Sequence, residues 1–197
     1  MQFIKIFRKR FHHLDDVWDA KAKDAELKVG VFQKSTIGRS IPGNWKNAFG
    51  TVAIEKGVNI WMLKVKKKDS ARKFVSVMFG VIRAEHAHKS KLEGCFAYGN
   101  SDGVDGWGFY AANGCIYHGN KYGQPYLDGY QVGHNDIICV VLDFYRGTLT
   151  FDVTPAAPDE LATQSTQPKI AFQIDRKHQY KLAVSMRGCD EIQLLTQ

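Results

Sequence analysis

Asp136-Ile-Ile-Cys-Val-Val-Leu-Asp-Phe-Tyr-Arg-Gly-Thr-Leu-Thr-Phe151 is the stretch on which the reading of this chain turns. Ile137 to Leu142 is apolar throughout and rich in β-branched residues, too short for a worthwhile helix and suited to a strand buried on both faces. Tyr145-Arg146-Gly147 supplies a turn in which Gly147 is free to take positive φ. Thr148-Leu149-Thr150-Phe151 then alternates polar and apolar, as a strand with one solvated face does. The stretch predicts a central β-hairpin.

Outward from it, short strands recur. Alternation marks strands over 26–34 and 57–65, and further strands are predicted over 49–54 and 74–82. Trp107–Tyr110 and Cys115–His118 form another hairpin, turned by Asn113-Gly114. Three last strands are predicted over 170–174, 180–186 and 191–195. The acids around Trp18 read as a turn, 35–47 and 119–129 as loops, and 153–169 as a long surface loop. With no convincing long helix, this pattern predicts an all-β fold, a two-sheet antiparallel sandwich.

The bulk composition fits one such domain. The chain has 197 residues, 44% of them hydrophobic and 12% aromatic, which is enough for a core and excludes wholesale disorder. No window is long and apolar enough to span a membrane, and the N-terminus does not read as a secretory signal. Its apolar residues Phe3, Ile4, Ile6, Phe7 and Phe11 are set among Lys5, Arg8, Lys9 and Arg10, which predicts an extension over 1–24 that packs on a domain spanning 25–197. Cys95, Cys115, Cys139 and Cys189 are scattered, without a C-x-x-C pair. Reduced thiols in a cytoplasmic or nuclear protein are expected.

The net charge of +7 is uneven, with basic residues crowded between Lys64 and Lys91 and acids in excess after Gly94. A solvated loop is the plainer reading of that crowd; nucleic-acid binding through it is the alternative function. Against the alternative, the aromatics are accounted for as core strands, not as a stacking platform. A glycan-binding surface would need an exposed aromatic with paired polar and acidic groups, which the sequence does not supply.

Enzyme chemistry finds no site. There is no phosphate-cradling P-loop or G-x-G-x-x-G and no G-x-S-x-G elbow. Asp190-Glu191 would point to opposite faces of a strand, so it is not the carboxylate pair of a glycosidase. Cys95 or Cys189 with His118 or His134 would make a thiol–imidazole pair only if the fold brought them together, and inert cysteine is the plainer reading. His86-Ala-His88 lacks a completing set of ligands, so neither metal nor cofactor is expected. The sequence therefore points to a binding module and not to an enzyme.

Several elements together resemble the SPRY (B30.2-type) family. Gly57-Val-Asn-Ile-Trp-Met-Leu-Lys-Val65 is similar to its Gly…Trp-x-x-x-Val strand, Phe79-Gly-Val-Ile82 to its Val-Gly-Val-Ala strand, and Trp107-Gly-Phe109 to its Trp-Gly element. Asp136–Phe151 resembles its diagnostic Val-x-Leu-Asp-x-x-x-Gly-Thr-Leu-x-Phe hairpin, and Ala171-Phe172 and Leu182-Ala-Val-Ser185 resemble the end of the domain. The elements run in the family's order over about 25–195. The resemblance implies a SPRY (concanavalin-like jelly-roll) sandwich that binds a protein or peptide partner through loops at one end, monomeric on its own.

The nearest look is to the SPRY/SOCS-box adaptors, although the sequence stops at Gln197 without room for a SOCS box. In those adaptors an Arg, a Tyr and a Val-Trp-Gly segment form the floor of a peptide site. The matching positions here are Arg39, Cys95 and Met186-Arg187-Gly188, which keep the Arg and lose both aromatic anchors. This departure predicts a different ligand, and Arg187 beside Arg39 favours an acidic or phosphorylated one. The candidate contacts are thus Arg39, Cys95, Tyr98, Met186, Arg187 and Gly188, with Arg72 and Lys73 on a nearby loop.

Overall fold

A computed structural model describes residues 16–30, 35–68, 74–88, 94–98, 105–119, 123–127, 129–156, 169–188 and 190–195. The N-terminal extension up to residue 15, Arg72 and Lys73, and most of the predicted loop after Val153 lie outside these residues.

The predicted hairpin is the middle of one sheet. Strand β10 (Ile137–Asp143) pairs with β11 (Thr148–Thr154) on one side and β5 (Val58–Lys67) on the other. Asp143 Oδ1 accepts from the amides of Tyr145 and Arg146, and Gly147 takes φ of 65°, which closes the turn. Ile138, Val140 and Leu142 point inward and are fully buried. Burial on both faces was expected, but Ile137, Cys139 and Val141 on the outer face are only half-buried.

The remaining strands are β1 (Trp18–Lys23), β2 (Leu27–Val29), β3 (Thr36–Arg39), β4 (Lys46–Gly50), β6 (Val77–Arg83), β7 (Gly106–Tyr110), β8 (Cys115–His118), β9 (Gln124–Pro125), β12 (Phe172–Gln173), β13 (Tyr180–Met186) and β14 (Asp190–Leu195). They complete two seven-stranded sheets, ordered β1-β4-β13-β6-β7-β8-β9 and β12-β11-β10-β5-β14-β3-β2. Every ladder is antiparallel, and a single 3₁₀ turn at Ala84–His86 is the sole helical element among the described residues. The inner faces meet in one core, where Phe109 stacks on Phe151 and Tyr126 reaches across to the backbone of Phe151, and at its edge Trp107 stacks on the exposed His118. This is the expected β-sandwich.

Three local expectations are corrected. The acids near Trp18 do not end the strand: Trp18 is buried and β1 runs on as an edge strand, with Asp19 Oδ1 accepting from Lys21 N and Ala22 N at an irregularity in its register. The expected loop 35–47 contains β3, held by the buried Ile37 and bordered by both β2 and β14. The strand expected over 49–54 leaves its sheet after Gly50, since a side chain takes the next amides. Buried Asp16 Oδ1 accepts from Val17 N, Thr51 N, Thr51 Oγ1 and Val52 N, while Oδ2 accepts from Trp61 Nε1 at 3.0 Å. An acid that looked like a turn former is a buried junction between the edge of one sheet and the centre of the other.

Two motif glycines have a steric cause. Gly80 on β6 lies opposite Gly108 on β7, and a Cβ at Gly80 would sit 1.8 Å from the carbonyl oxygen of Trp107. A Cβ at Gly108 would come within 2.7 Å of Met78 and 2.9 Å of Ala97. Gly108, together with Gly106, whose Cβ would lie 2.5 Å from the carbonyl oxygen of Phe96, leaves room for residues 94–98 to lie flat on the outer face of the first sheet. A second apolar cluster forms there from Phe49, Met78, Ile82, Cys95, Phe96 and Ala183. That cover explains why β6 is buried on both faces.

Candidate interaction site

Antiparallel pairing brings distant loops to one end of the first sheet. The loop between β3 and β4, the start of β6, the 94–98 cover, the β7–β8 hairpin and the turn after β13 all meet there.

Arg39 is the bolt of this end. It is 3% exposed; Nη1 donates to the carbonyls of Asn44 and Met186, and Nη2 lies 2.6 Å from Glu26 Oε2. Lys46 Nζ holds the other Glu26 oxygen at 2.9 Å. The Lys46 hydrogen bond leads the causes that hold the Glu26 carboxyl below its ordinary value, with Arg39 assisting against a smaller rise from desolvation. The loop is tied again by Gly43 N, which donates to the Arg187 carbonyl, and Arg187 N donates to Ser76 O. The Arg39 charge is thus already neutralised, and its work is to set two loops against each other.

The cover is fastened by a second polar knot. Asn47 and Ser185 are buried neighbours in the ladder of β4 with β13, both facing outward. Ser185 Oγ donates to Asn47 Oδ1 in a short contact, Phe96 N donates to both oxygens, and Asn47 Nδ2 donates to Gly94 O at 2.7 Å. Asp24 Oδ2 accepts from Asn47 N at 2.7 Å. Buried polar groups cost little when each is satisfied, and here they fix the position of the segment. Cys95 follows from this: its thiol is enclosed, and burial pushes its pKa up to about 12, leaving it unreactive as a nucleophile.

On this base stand the accessible groups. Trp45, Tyr98 and Tyr110 are half-buried and Tyr117 is nearly covered. Their ring centroids form a closed circuit: Trp45 to Tyr98 5.9 Å, Tyr98 to Tyr117 5.2 Å, Tyr117 to Tyr110 6.2 Å, and Tyr110 to Trp45 5.6 Å. Steep interplanar angles, 59° to 89°, mean that some rings present edges and others faces. Burial pushes the Tyr98 phenol above its ordinary value, Cys95, Tyr117 and Tyr110 add to the rise, and the guanidinium of Arg187 draws it back. Arg187 is exposed beside this array, and Ile41, 72% exposed, and Phe74, 41% exposed, belong to the same end.

The structure therefore brings Arg39, Cys95, Tyr98, Met186, Arg187 and Gly188 to one end, in different roles. Tyr98 and Arg187 face outward. Arg39 and Cys95 lie beneath them, Gly188 is buried in the turn, and Met186 is a fully buried part of the inter-sheet core. Sequence reasoning missed Trp45, Tyr110 and Tyr117. Trp45 carried a signal, a tryptophan in a loop rich in Gly, Pro and Asn. Tyr110 and Tyr117 carried none, because on paper they continue core strands.

Other chemistry is not assembled. Among the described residues no group of three or more His, Cys, Asp or Glu side chains is placed to hold a metal. His86 Nδ1 accepts from Asp105 N, and His134 Nδ1 from Lys67 N. Among the described residues the basic crowd is divided: Lys66 and Lys68 pair with Glu191 on the second sheet, while Arg83 pairs with Asp105 at the far end of the first. No described helix is long and apolar enough to cross a membrane.

No family model matches the chain, and no curated protein sequence matches it either. Solved structures do. The SPRY domain of human HERC1 superposes with a TM-score of 0.65 at 16% identity, over 91% of this chain and 98% of that one. The PSpry domain of TRIM65 gives 0.69 at 14% identity, over 100% of this chain and 99% of that one. A human SPRY domain gives 0.56 at 13% identity, over 87% and 96%. The chain has the fold of SPRY domains.

Proposed function

We propose that this chain is a SPRY-type protein-interaction module without catalytic activity, which takes its partner on the end of the sandwich formed by Trp45, Tyr98, Tyr110 and Arg187. The observation that carries this reading is the aromatic circuit beside an exposed guanidinium, with Trp45, Tyr98 and Arg187 on loops clamped by buried hydrogen bonds and Tyr110 and Tyr117 on β7 and β8. Tyr, Trp and Arg dominate the energetics of protein interfaces, and clamped loops lose little entropy on binding. Arg39 and Lys46 are both engaged with Glu26, which leaves Arg187 as the cation offered to the partner at this rim among the described residues. An acidic or phosphorylated side chain on the partner suits it.

The described cysteines Cys95, Cys115 and Cys139 are free thiols, which supports a reducing compartment, cytoplasmic or nuclear. The division of the basic residues between the two sheets speaks against nucleic-acid binding, which needs a continuous track of cations.

Quantitative affinity capture from cell extract tests the reading, with the parent chain, Arg187→Glu and Tyr98→Ala as baits of equal thermal stability. A set of proteins retained by the parent and lost by both variants is expected. Retention of the same set by both variants removes this end of the sandwich as the binding surface.

A further inference from the structure

The outer face of the second sheet is apolar where an antiparallel sheet of this kind is usually solvated and polar. Its central strands carry Val58, Ile60 and Met62 on β5 and Ile137, Cys139 and Val141 on β10, all outward and all half-buried. Val141 lies opposite Ile60 and Cys139 opposite Met62, and Leu195 of β14 flanks Met62 on the other side. The apolar positions therefore form one continuous patch three strands wide. Acids border it on the β10–β11 side, with Asp143 at one end of β10 and Asp152 opposite Cys139 on β11, while Lys64 lies opposite Ile137 at the other end.

Two groups on this face are drier than outward positions ought to be. Burial pushes the Cys139 thiol up to about 12, with Asp152 adding to the rise. Burial likewise raises the Asp152 carboxyl, against a lowering hydrogen bond from Val153 N.

The sequence contains a segment of matching character. Fifteen residues precede Asp16, and they bring Phe3, Ile4, Ile6, Phe7 and Phe11 together with Lys5, Arg8, Lys9 and Arg10. Asp16 itself is anchored on Trp61 of β5 from the inner side. Fifteen extended residues reach up to about 50 Å. Passing one sheet and crossing three strands takes only about 25 Å.

We propose that residues 3–11 dock on the outer face of the second sheet, over Ile60, Met62, Cys139 and Val141, with their basic side chains toward Asp143 and Asp152. Being tethered, the segment covers the face at an effective concentration in the millimolar range or about that, which a free partner has to exceed.

Peptide-resolved alkylation of the full chain with iodoacetamide tests this, with Cys139 as reporter and Cys95 as reference under its separate cover. In the Ile6→Asp/Phe7→Asp variant, Cys139 is expected to react about tenfold faster or more, each pKa unit relieved being worth about tenfold in thiolate, while Cys95 is unchanged. An equal Cys139 rate in parent and variant overturns the proposal. So does protection of the parent that disappears on dilution, which would assign the face to a second copy, or that requires phosphatidylserine vesicles, which would assign the segment to a membrane. A second measurement needs no variant: zero-length carboxylate–amine cross-linking of the parent is expected to join Lys5 or Lys9 to Asp143 or Asp152. Cross-links from both lysines to other acids only would overturn the assignment.

Discussion

Arg39 Nη2 and Glu26 Oε2 meet at 2.6 Å, and the same guanidinium also holds the carbonyls of Asn44 and Met186. A cation that would be a ligand contact by its position in sequence is instead the pin joining two loops. Arg39→Ala leaves these carbonyls without their donor and is expected to cost about 2 kcal/mol, which for a domain of this size lowers Tm by about 4–8 °C. Differential scanning calorimetry measures it. Glu26→Gln is expected to have a much smaller effect, since that carboxylate is about half exposed. The Glu26 contribution is full above its ordinary value of 4.5 and is lost as pH falls through the lowered folded-state value, so the Glu26 variant should converge toward the parent in acid, while the Arg39 variant, whose loss lies in the two carbonyls, should not.

The aromatic circuit predicts where affinity resides. Once a partner is in hand, Trp45→Ala is expected to weaken binding by about 2 kcal/mol, roughly thirtyfold in Kd. Tyr145→Ala, at an exposed tyrosine on the opposite end, should leave Kd unchanged in the same titration.

Ser185 holds down the 94–98 cover. Ser185→Ala removes one acceptor from the Phe96 amide and one of the two donors to Asn47 Oδ1, which keeps the Phe96 amide, a loss of about 1 kcal/mol in a buried setting. Amide hydrogen exchange should show Phe96 and Tyr98 losing protection while β10 keeps it. Uniform loss across both sheets would mean that the cover is not an independent unit.

The buried thiols give a pH dependence with a definite sign. Cys95 and Cys139 have folded-state values raised to about 12 from 9.0, so below 9 both states are protonated and nothing is lost. Above 9 the unfolded thiols ionise and the folded ones do not, so stability falls as pH rises from 9 toward 12, by up to about 1.4 kcal/mol per pH unit per thiol. Urea denaturation at pH 8 and pH 10 should show the decline, and Cys95→Ala should flatten it.

Gly50→Ala is expected to disrupt the Asp16 junction, because its Cβ would lie 2.3 Å from Asp16 Oδ2. A loss of about 3 kcal/mol or more is expected from breaking this buried network, read from the urea midpoint.

The sandwich was legible because alternation reports directly on faces. The 180–186 strand was placed at its observed bounds, and the central hairpin at the middle of its sheet. What the sequence concealed was the use of side chains in place of ladders. Nothing in the spacing of Asp16 and Trp61 says that one carboxylate ends a strand at Thr51 and caps an indole of the other sheet. The candidate site was legible as a place, since Arg39, Tyr98 and Arg187 do converge there, but not as a division of labour. Whether an arginine in a loop faces solvent or its own backbone depends on where the carbonyls of Asn44 and Met186 arrive, and those are 142 residues apart in the chain. The aromatic circuit was hidden for a related reason. Tyr110 and Tyr117 alternate as core residues do, and only the cover laid over the first sheet turns their face into a second, shallower core with an open rim.

Gly106 and Gly108 make the first sheet thin enough for a separate strip of chain to lie on it without disturbing the layer beneath. That strip is held by Asn47 and Ser185, which belong to the sheet and reach its backbone and that of Gly94, and by Cys95, Phe96 and Ala97, which are buried in the cluster beneath. Backbone anchors are indifferent to side chains, but Cys95, Phe96 and Ala97 fill the cluster beneath, so Tyr98 is the exchangeable position of the cover. Changing Tyr98, with Cys95, Phe96 and Ala97 kept, would re-equip this end of the domain for another partner while its architecture stayed as it is.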